Sequence, residues 1–359
     1  MSRDQQTPTR RTVLSRCGAF GAGLAGLAAL SGTGTATRRH PDPTVQLRAS
    51  ADPIPFHEIE ANRRSAIENR AEILPHSKRG KRSTMTGYPT ENRDRIVAYN
   101  FDVQDGQTRE YFGYADSQDD SPGTLSQAAV ERVHERADDH AARSGTTTAS
   151  DGEFDDWEYA HDVRSDHTSE DGNLVLDATC YRRHDQSRPT DVYGLVTNAE
   201  MGGGGLRNPD PNVENDGLTV THNWWRSIAD MDHDRHPTSM SHGQISEDVS
   251  LSISSGGISF GASYSYSQRD VRTYDESDPW SDNGEWRVEI DNDHTRYYTA
   301  ELNPASLAEV ERQHCLNLPD PLPSGVLVGT VSAEGVWKKS FDQYSELNGV
   351  SITDDCYRN

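Results

Sequence analysis

The chain has 359 residues, and its 35 lysines and arginines are outnumbered by 58 aspartates and glutamates, which gives a formal net charge of −23 at pH 7. Charge of one sign in this amount makes a compact chain repel itself in dilute buffer, whereas about 1 M salt shortens the screening length to about 3 Å and nearly removes the repulsion. Because nucleic-acid binding needs a basic surface, the composition argues against a nucleic-acid partner.

The first 36 residues have the organisation of an export signal. Arg10 and Arg11 lie in the run Thr9-Arg10-Arg11-Thr12-Val13-Leu14, which matches the twin-arginine pattern, and an uncharged stretch from Gly18 to Leu30 follows. A membrane-spanning helix needs roughly 20 apolar residues, so this shorter stretch indicates a targeting segment rather than an anchor. We expect export through the twin-arginine translocase, removal of residues 1–36 and an extracellular location.

Residues 37–90 differ in charge from the rest, with a net charge of +4 against −30 for residues 91–359. This segment contains the basic run Ser77-Lys78-Arg79-Gly80-Lys81-Arg82-Ser83, with two of the four lysines in the chain. A basic segment before an acidic body indicates a pro-segment that folds onto the body and is clipped near the dibasic pairs, although a disordered linker fits equally. The secreted domain is expected over residues 91–359, with a subdivision near 202–215 where the composition is that of a loop.

The first half of the chain combines two helical patterns with strand patterns. Residues His57–Leu74 look helical, and Thr124–Arg143 predicts one longer helix near 124–143 from apolar residues spaced along one face. Ile96–Val103 and Thr108–Tyr114 flank Asp105-Gly106, a dipeptide that favours a tight hairpin turn. Further strands are predicted over part of 151–172 and over Leu174–Tyr181, Val192–Thr197 and Leu218–Trp225.

The last third predicts paired strands and one short helix. The expected pairs are Trp286–Ile290 with Tyr297–Leu302, and Val326–Val331 with Val336–Phe341, followed by a strand at Val350–Ile352. Residues Ser306–His314 are predicted as the helix. The fold class that results is α+β, predominantly antiparallel β and sandwich-like.

The most distinctive internal pattern is an alternation from Val249 to Ser267. Val249, Leu251 and Ile253 alternate with serines, and after Ser255-Gly256-Gly257 the apolar positions resume at Ile258, Phe260, Ala262, Tyr264 and Tyr266. Period-two alternation places the apolar side chains on one face and the hydroxyls on the other. The second arm has nine residues, close to the 9–11 of a membrane-crossing strand, so the hairpin fits a membrane-inserting element. An amphipathic hairpin of an ordinary sandwich shows the same alternation, and both interpretations stay open.

One serine lies in a nucleophile-like pattern. Gly257-Ile258-Ser259-Phe260-Gly261 matches Gly-x-Ser-x-Gly, and Asp293, His294 and His314 follow in the order that hydrolases use. The chemistry requires a tight strand-to-helix turn, whereas Ser259 lies inside an alternating strand, so an ordinary strand residue is favoured over a catalytic one.

Three other features are candidates for binding or bridging. Asp230, Asp232, His233, Asp234 and His236 concentrate ligands for Ca²⁺ or Zn²⁺, with His242 nearby, although an EF-hand match fails and a solvated acidic loop is the simpler interpretation. No other cofactor is indicated. Trp224-Trp225 offers an aromatic contact surface, with at least one indole expected in the core. Outside the leader there are three cysteines, and Cys315–Cys356 is the simplest disulfide.

Several of these features together resemble one class of secreted protein. The scarcity of lysine in an acidic chain is similar to extracellular proteins of haloarchaea. The twin-arginine leader, the Trp224-Trp225 pair and the run Gly-Ile-Ser-Phe-Gly-Ala-Ser-Tyr within the alternation resemble the layout of large protein halocins, over residues 1–36 and 218–270. The resemblance implies a precursor trimmed after export and a target at the envelope of a competing cell, and it identifies no catalytic residue.

Three functions are therefore distinguished from the sequence. The first is a secreted, non-enzymatic antimicrobial whose hairpin contacts a membrane or receptor, through Ile258, Phe260, Tyr264 and Tyr266 with Trp224 and Trp225. The second is an extracellular or surface-associated β-rich binding domain without killing activity. The third is a secreted hydrolase that uses Ser259.

Overall fold

The computed structural model describes fourteen stretches of the chain, and the two strands at 248–253 and 258–263 are described by their backbone. The stretches are 44–49, 52–73, 83–104, 107–116, 125–144, 157–169, 172–183, 190–203, 212–237, 248–253, 258–263, 271–290, 299–311 and 326–356. The predicted leader at 1–36 and residues 204–211, within the predicted subdivision, lie outside them. These residues are predominantly strand, which confirms the predicted α+β fold rich in antiparallel β structure.

Seventeen strands and two helices occupy the described residues. The helices are α1 (Phe56–Ile73) and α2 (Gln127–Ser144), and short 3-10 turns lie at Arg93–Arg95 and Pro279–Ser281. The strands in chain order are β1 (Thr44–Arg48), β2 (Ser83–Pro89), β3 (Ile96–Gln104), β4 (Gln107–Ala115), β5 (Glu158–Thr168), β6 (Gly172–Arg183), β7 (Thr190–Gly203), β8 (Val213–Trp224), β9 (Ala229–His236), β10 (Asp248–Ile253), β11 (Ile258–Ser263), β12 (Val271–Asp275), β13 (Asn283–Ile290), β14 (Thr299–Leu302), β15 (Ala305–Glu311), β16 (Val326–Lys339) and β17 (Asp342–Cys356).

The larger sheet has nine strands in the order β1-β3-β4-β5-β6-β7-β15-β9, with β14 also paired to β7. All its pairs are antiparallel except β4 with β5. A parallel pair needs a long crossover, and α2 lies in the chain between these two strands. The helix packs on β3 and β4, and Gly113 of β4 permits its close approach, because a Cβ there would lie 2.3 Å from Cγ1 of Val133.

The smaller sheet has six strands in the order β12-β13-β8-β16-β17-β2. It packs against the larger sheet, with β2 and β17 lying near β5 and β16 near β6 and β7. Three fully buried tryptophans, Trp224, Trp286 and Trp337, belong to its strands and fill the space between the sheets. Gly172 of the larger sheet lies flat against the Trp337 ring, where a Cβ would come within 2.4 Å of an indole carbon.

The basic segment 37–90 contributes β1, α1 and β2 to the folded body. β1 pairs with β3, and β2 pairs with β17. Helix α1 places Ile59, Ala66 and Ile67 in the core. Whether this segment is cleaved after export stays a prediction, and so do the leader and domain boundaries that the charge pattern gave.

A buried ion pair anchors α1 at the junction of the two sheets. Arg63 is 3 % exposed and its Nη1 lies 2.9 Å from Oε1 of the fully buried Glu110. The same carboxylate accepts hydrogen bonds from the hydroxyl of Tyr99 at 2.6 Å and from the backbone N–H of Gly87 at 2.7 Å. These contacts join the helix to β2, β3 and β4.

Three predicted elements are wrong in the structure. The helix predicted at Ser306–His314 is strand β15 over its described part, because this segment pairs with β7 and β9 and buries Leu307, Ala308 and Val310. The predicted pairing of 286–290 with 297–302 does not form, since β13 pairs with β12 and β8 whereas β14 pairs with β7. Residues 326–331 and 336–341 are not a hairpin, because both fall largely within the continuous strand β16.

Candidate functional site

The predicted hairpin exists as a two-stranded antiparallel sheet of β10 and β11. Its register places Val249 opposite Ala262, Leu251 opposite Phe260 and Ile253 opposite Ile258. Apolar residues therefore face apolar partners on one side of the ribbon. The other side carries Ser250 opposite Gly261 and Ser252 opposite Ser259, so the cross-strand pairing preserves the polarity difference that the sequence showed.

The hairpin lies beside the body without joining either large sheet. Among the described strands, β10 and β11 pair only with each other. β10 passes close to β9, the edge strand of the larger sheet, and to β15 beside it. Because no hydrogen-bonded ladder among the described strands joins the hairpin to the body, its departure would break no sheet.

The paired arms of the hairpin are short for a membrane crossing. Each has six residues, which extend roughly 20 Å at about 3.3 Å per residue, whereas the hydrocarbon core is about 30 Å thick. Continuing the alternation to Tyr266 would extend the second arm to nine residues. Tyr264 and Tyr266 lie outside the described residues, as do residues 254–257.

Exposed aromatic side chains lie at the end of β8 and in the turn before β13. Trp224 is 1 % exposed and donates its indole N–H to the hydroxyl of Ser306 at 3.0 Å, so it cannot contact a target. Trp225 is 48 % exposed and Trp280 is 79 % exposed. The two lie at the same end of the smaller sheet, since the backbone N–H of Trp224 bonds to the carbonyl of Asp282 at 2.9 Å.

The sequence did not predict Trp280. This indole stands in a 3-10 turn between Pro279 and Ser281, where no period-two or helical pattern separates a buried aromatic from an exposed one. Its ring contacts the His233 ring edge-on, with centroids 5.3 Å apart. The only sequence signal for its exposure is the dipeptide Asp278-Pro279 directly before it, because such dipeptides favour turns, and turns lie at the surface.

The metal ligands that the sequence predicted are spread along β9. Successive residues of a strand point to opposite faces, so Asp230 and Asp232 lie on the face opposite to His233. Arg235, on that second face, is paired with Asp275 at 3.0 Å. Among the side chains that the structure describes, the residues of β9 form no group with metal-ligand spacing.

The serine of the nucleophile-like pattern lies on a strand. Ser259 is the second residue of β11 and pairs with Ser252, rather than standing on a strand-to-helix turn. Asp293, His294 and His314 lie outside the described residues.

One serine and one histidine do come within hydrogen-bonding distance, but in the core. His222 Nδ1 lies 2.9 Å from the hydroxyl of Ser306, and Nε2 lies 2.7 Å from the hydroxyl of Thr197. All three residues are fully buried, and burial lowers the pKa of His222 to about 3. The lowered pKa keeps this buried imidazole neutral near pH 7, and its two hydrogen bonds join the two sheets.

Two further features are present on the described surface and in the core. A groove of about 450 Å³ crosses the smaller sheet between β8, β13 and β16, and its cations already pair with carboxylates, Lys338 with Asp216 and Arg287 with Glu276. Cys180 is buried in β6, whereas the predicted Cys315–Cys356 bridge lies outside the described side chains.

Neither of the two helices among the described residues combines the length and the apolar composition that a membrane crossing requires.

Comparison with known proteins gives matches among solved structures alone. No protein-family model and no curated protein matches the chain. A solved "pore forming protein" is similar with a TM-score of 0.32 and 10 % identity, covering 56 % of this chain and 94 % of its own. The membrane-inserted NetB toxin of Clostridium perfringens has a TM-score of 0.28 and 8 % identity, with coverages of 54 % and 98 %. The delta-toxin of the same organism has a TM-score of 0.30 and 10 % identity, with coverages of 56 % and 88 %.

Proposed function

We propose that this chain is a secreted, halocin-like antimicrobial protein that permeabilises the envelope of competing cells. The observation that carries the proposal is the β10–β11 hairpin, which has one apolar and one hydroxyl-rich face and belongs to neither large sheet. The twin-arginine leader, removed on export, delivers the protein to a saline exterior where its acidic surface is screened. The same proposal includes the trimming of residues 37–90 as a pro-segment, by cleavage near their dibasic pairs.

Insertion of this hairpin requires several copies of the chain. The outer edges of β10 and β11 carry backbone N–H and C=O groups that no described strand pairs. Each such group costs several kcal/mol when it is left unsatisfied in hydrocarbon. Hairpins from neighbouring copies would pair along these edges, with the apolar face towards lipid and the serine face towards water.

Leakage of a trapped dye from archaeal-lipid vesicles in molar salt tests the proposal. We expect the purified protein to release dye at micromolar concentration. Phe260→Lys should reduce release at least tenfold, because a lysine on the lipid face near the bilayer centre costs about 2–4 kcal/mol. Ser259→Lys, on the adjacent residue but the opposite face, is the matched control and should retain release. Intact vesicles with wild-type protein, or equal loss in both variants, would contradict the proposal.

Inhibition of a lawn of related cells tests the biological part. Culture supernatant from a strain that carries the gene should clear the lawn, and supernatant from the deletion strain should not. Ser259→Ala should leave clearing unchanged, because the proposal gives this hydroxyl no catalytic role.

A second function, an extracellular binding domain without killing activity, is favoured by the exposed indoles of Trp225 and Trp280. Aromatic surfaces of this kind contact ligands or membrane interfaces. This alternative predicts attachment to target cells with neither dye release nor lawn clearing. Replacing both tryptophans by alanine should then abolish attachment, whereas Phe260→Lys should leave it intact.

A further inference from the structure

Three residues that are distant in the sequence meet where the two sheets pack together. Asp116 directly follows β4, His167 lies in β5, and Glu346 lies in β17 of the other sheet. Nε2 of His167 is 3.5 Å from Oδ1 of Asp116, and Nδ1 is 3.6 Å from Oε2 of Glu346. One ligand atom from each residue lies within 4.8 Å of the other two.

The imidazole of His167 lacks the hydrogen bonds that a buried ring requires. It is 2 % exposed, and neither Nδ1 nor Nε2 has a hydrogen-bond partner. Buried polar groups in folded proteins are almost always satisfied, so an imidazole directed between two carboxylates without a hydrogen bond points to a ligand-binding position.

The neighbouring residues hold this arrangement in place. Asn348, two residues after Glu346, donates its amide to the carbonyls of Ser165 at 2.9 Å and Leu174 at 3.2 Å. Strand side chains two residues apart lie on the same face, so Glu346 shares a face of β17 with Asn348. The hydrogen bonds of Asn348 therefore fix the position of this face relative to β5, which carries His167. Arg95 donates to Oδ1 of Asp116 at 2.6 Å, the kind of outer hydrogen bond that orients a ligating carboxylate.

We propose that Asp116, His167 and Glu346 bind one divalent transition-metal ion, and the donor set selects Zn²⁺. An imidazole nitrogen with two carboxylate oxygens suits zinc, which accepts three protein ligands and a water. Ca²⁺ instead takes six to eight oxygens. The bound ion joins β4 and β5 of the larger sheet to β17 of the smaller one, so it stabilises the folded state. The site is independent of the hairpin and of the proposed function.

Calorimetric titration of Zn²⁺ into untagged, chelator-treated protein in molar salt tests the site. We expect one ion per chain and a higher melting temperature with Zn²⁺ than with Ca²⁺. His167→Gln should weaken binding at least tenfold and abolish the thermal shift. If His167→Gln does not fold, Glu346→Gln provides the same test at a carboxylate that is 29 % exposed.

His233→Gln on β9 is the matched control, since this histidine is exposed and belongs to no ligand group among the described residues. It should bind Zn²⁺ as the wild type does. The proposal is overturned if the wild type binds no Zn²⁺, if His167→Gln or Glu346→Gln binds it undiminished, or if His233→Gln loses it.

Discussion

Individual buried polar residues hold the sheets and helix α1 together. Glu110 has no solvent exposure, yet it is matched by Arg63, Tyr99 and the backbone of Gly87. A buried carboxylate is tolerable only while its partners remain, since removing one partner leaves an uncompensated charge in a medium of low dielectric constant.

Arg63→Met should therefore lower the free energy of unfolding by about 3–5 kcal/mol. Urea denaturation in molar salt, followed by circular dichroism, measures the change. Arg64→Met is the control, because this neighbour on α1 is exposed and should change stability by less than about 0.5 kcal/mol. Equal effects of the two substitutions would show that the buried pair has no special role.

His222 should make the fold sensitive to acid. Burial lowers its folded-state pKa to about 3 from the ordinary 6.5, so the unfolded chain takes up the proton first. The free energy of unfolding therefore keeps its full value above pH 6.5. It falls as the pH decreases from 6.5 towards the folded-state pKa of His222, by up to about 1.4 kcal/mol per pH unit.

Urea denaturation between pH 7 and 4.5 checks this contribution. His222→Gln should lose less stability over that interval than the wild type, because the variant lacks the titrating group. The comparison isolates His222 from Asp177, whose pKa burial raises to about 7 and which acts in the opposite direction. Parallel curves for the two proteins would contradict the expectation.

The alternating pattern of β8 predicts which of Trp224 and Trp225 is buried and which is exposed. Leu218, Val220, His222 and Trp224 have the same parity in this strand, and all four are buried. Period two therefore assigns Trp224 to the core and Trp225 to the surface. The Asp116–His167–Glu346 group has no such signal, because its members are separated by about 50 and 180 residues and only the packing of the sheets brings them together.

At the scale of elements, local patterns are sufficient where pairing is local. The hairpin of β3 and β4, the long helix and the β10–β11 ribbon are short-range structures, and the sequence predicts each of them. The predictions that failed concern strands whose partners are distant in the sequence. The residues of β15 have a helix-like pattern when they are considered alone. They form a strand because they pair with β7 and β9, which lie more than 60 residues earlier in the chain. The pattern of β16 is interrupted at Gly335, where the glycine fits against the Trp337 ring.

The packing of β1 and α1 predicts the effect of a cut in the basic segment. A specific protease site inserted after Ser77, then cleaved, should leave the N-terminal fragment bound, because β1 stays paired with β3 and Arg63 with Glu110. The two fragments should co-elute on gel filtration in molar salt and separate in urea, with intact masses identifying each. Release of the N-terminal fragment under native conditions would contradict this expectation.

At the scale of the whole molecule, the net charge of −23 is expected to make the stability of the fold depend on salt. We expect the melting temperature to rise steeply with salt up to about 1 M, where the screening length is about 3 Å, and to change less beyond it. Thermal scans by circular dichroism in low, molar and multimolar NaCl measure this. A melting temperature independent of salt would remove the argument for a saline environment.

The central claim, that the β10–β11 hairpin enters a membrane, is tested most directly by an environment-sensitive fluorophore on single cysteines along β11. The background chain carries Cys315→Ser and Cys356→Ser, and Cys180 is buried. On addition of vesicles in molar salt, labels at 258, 260 and 262 should shift to blue, brighter emission, whereas labels at 259, 261 and 263 should not. Emission that is unchanged at both sets of positions, or shifts equally at both, would contradict membrane insertion of the hairpin.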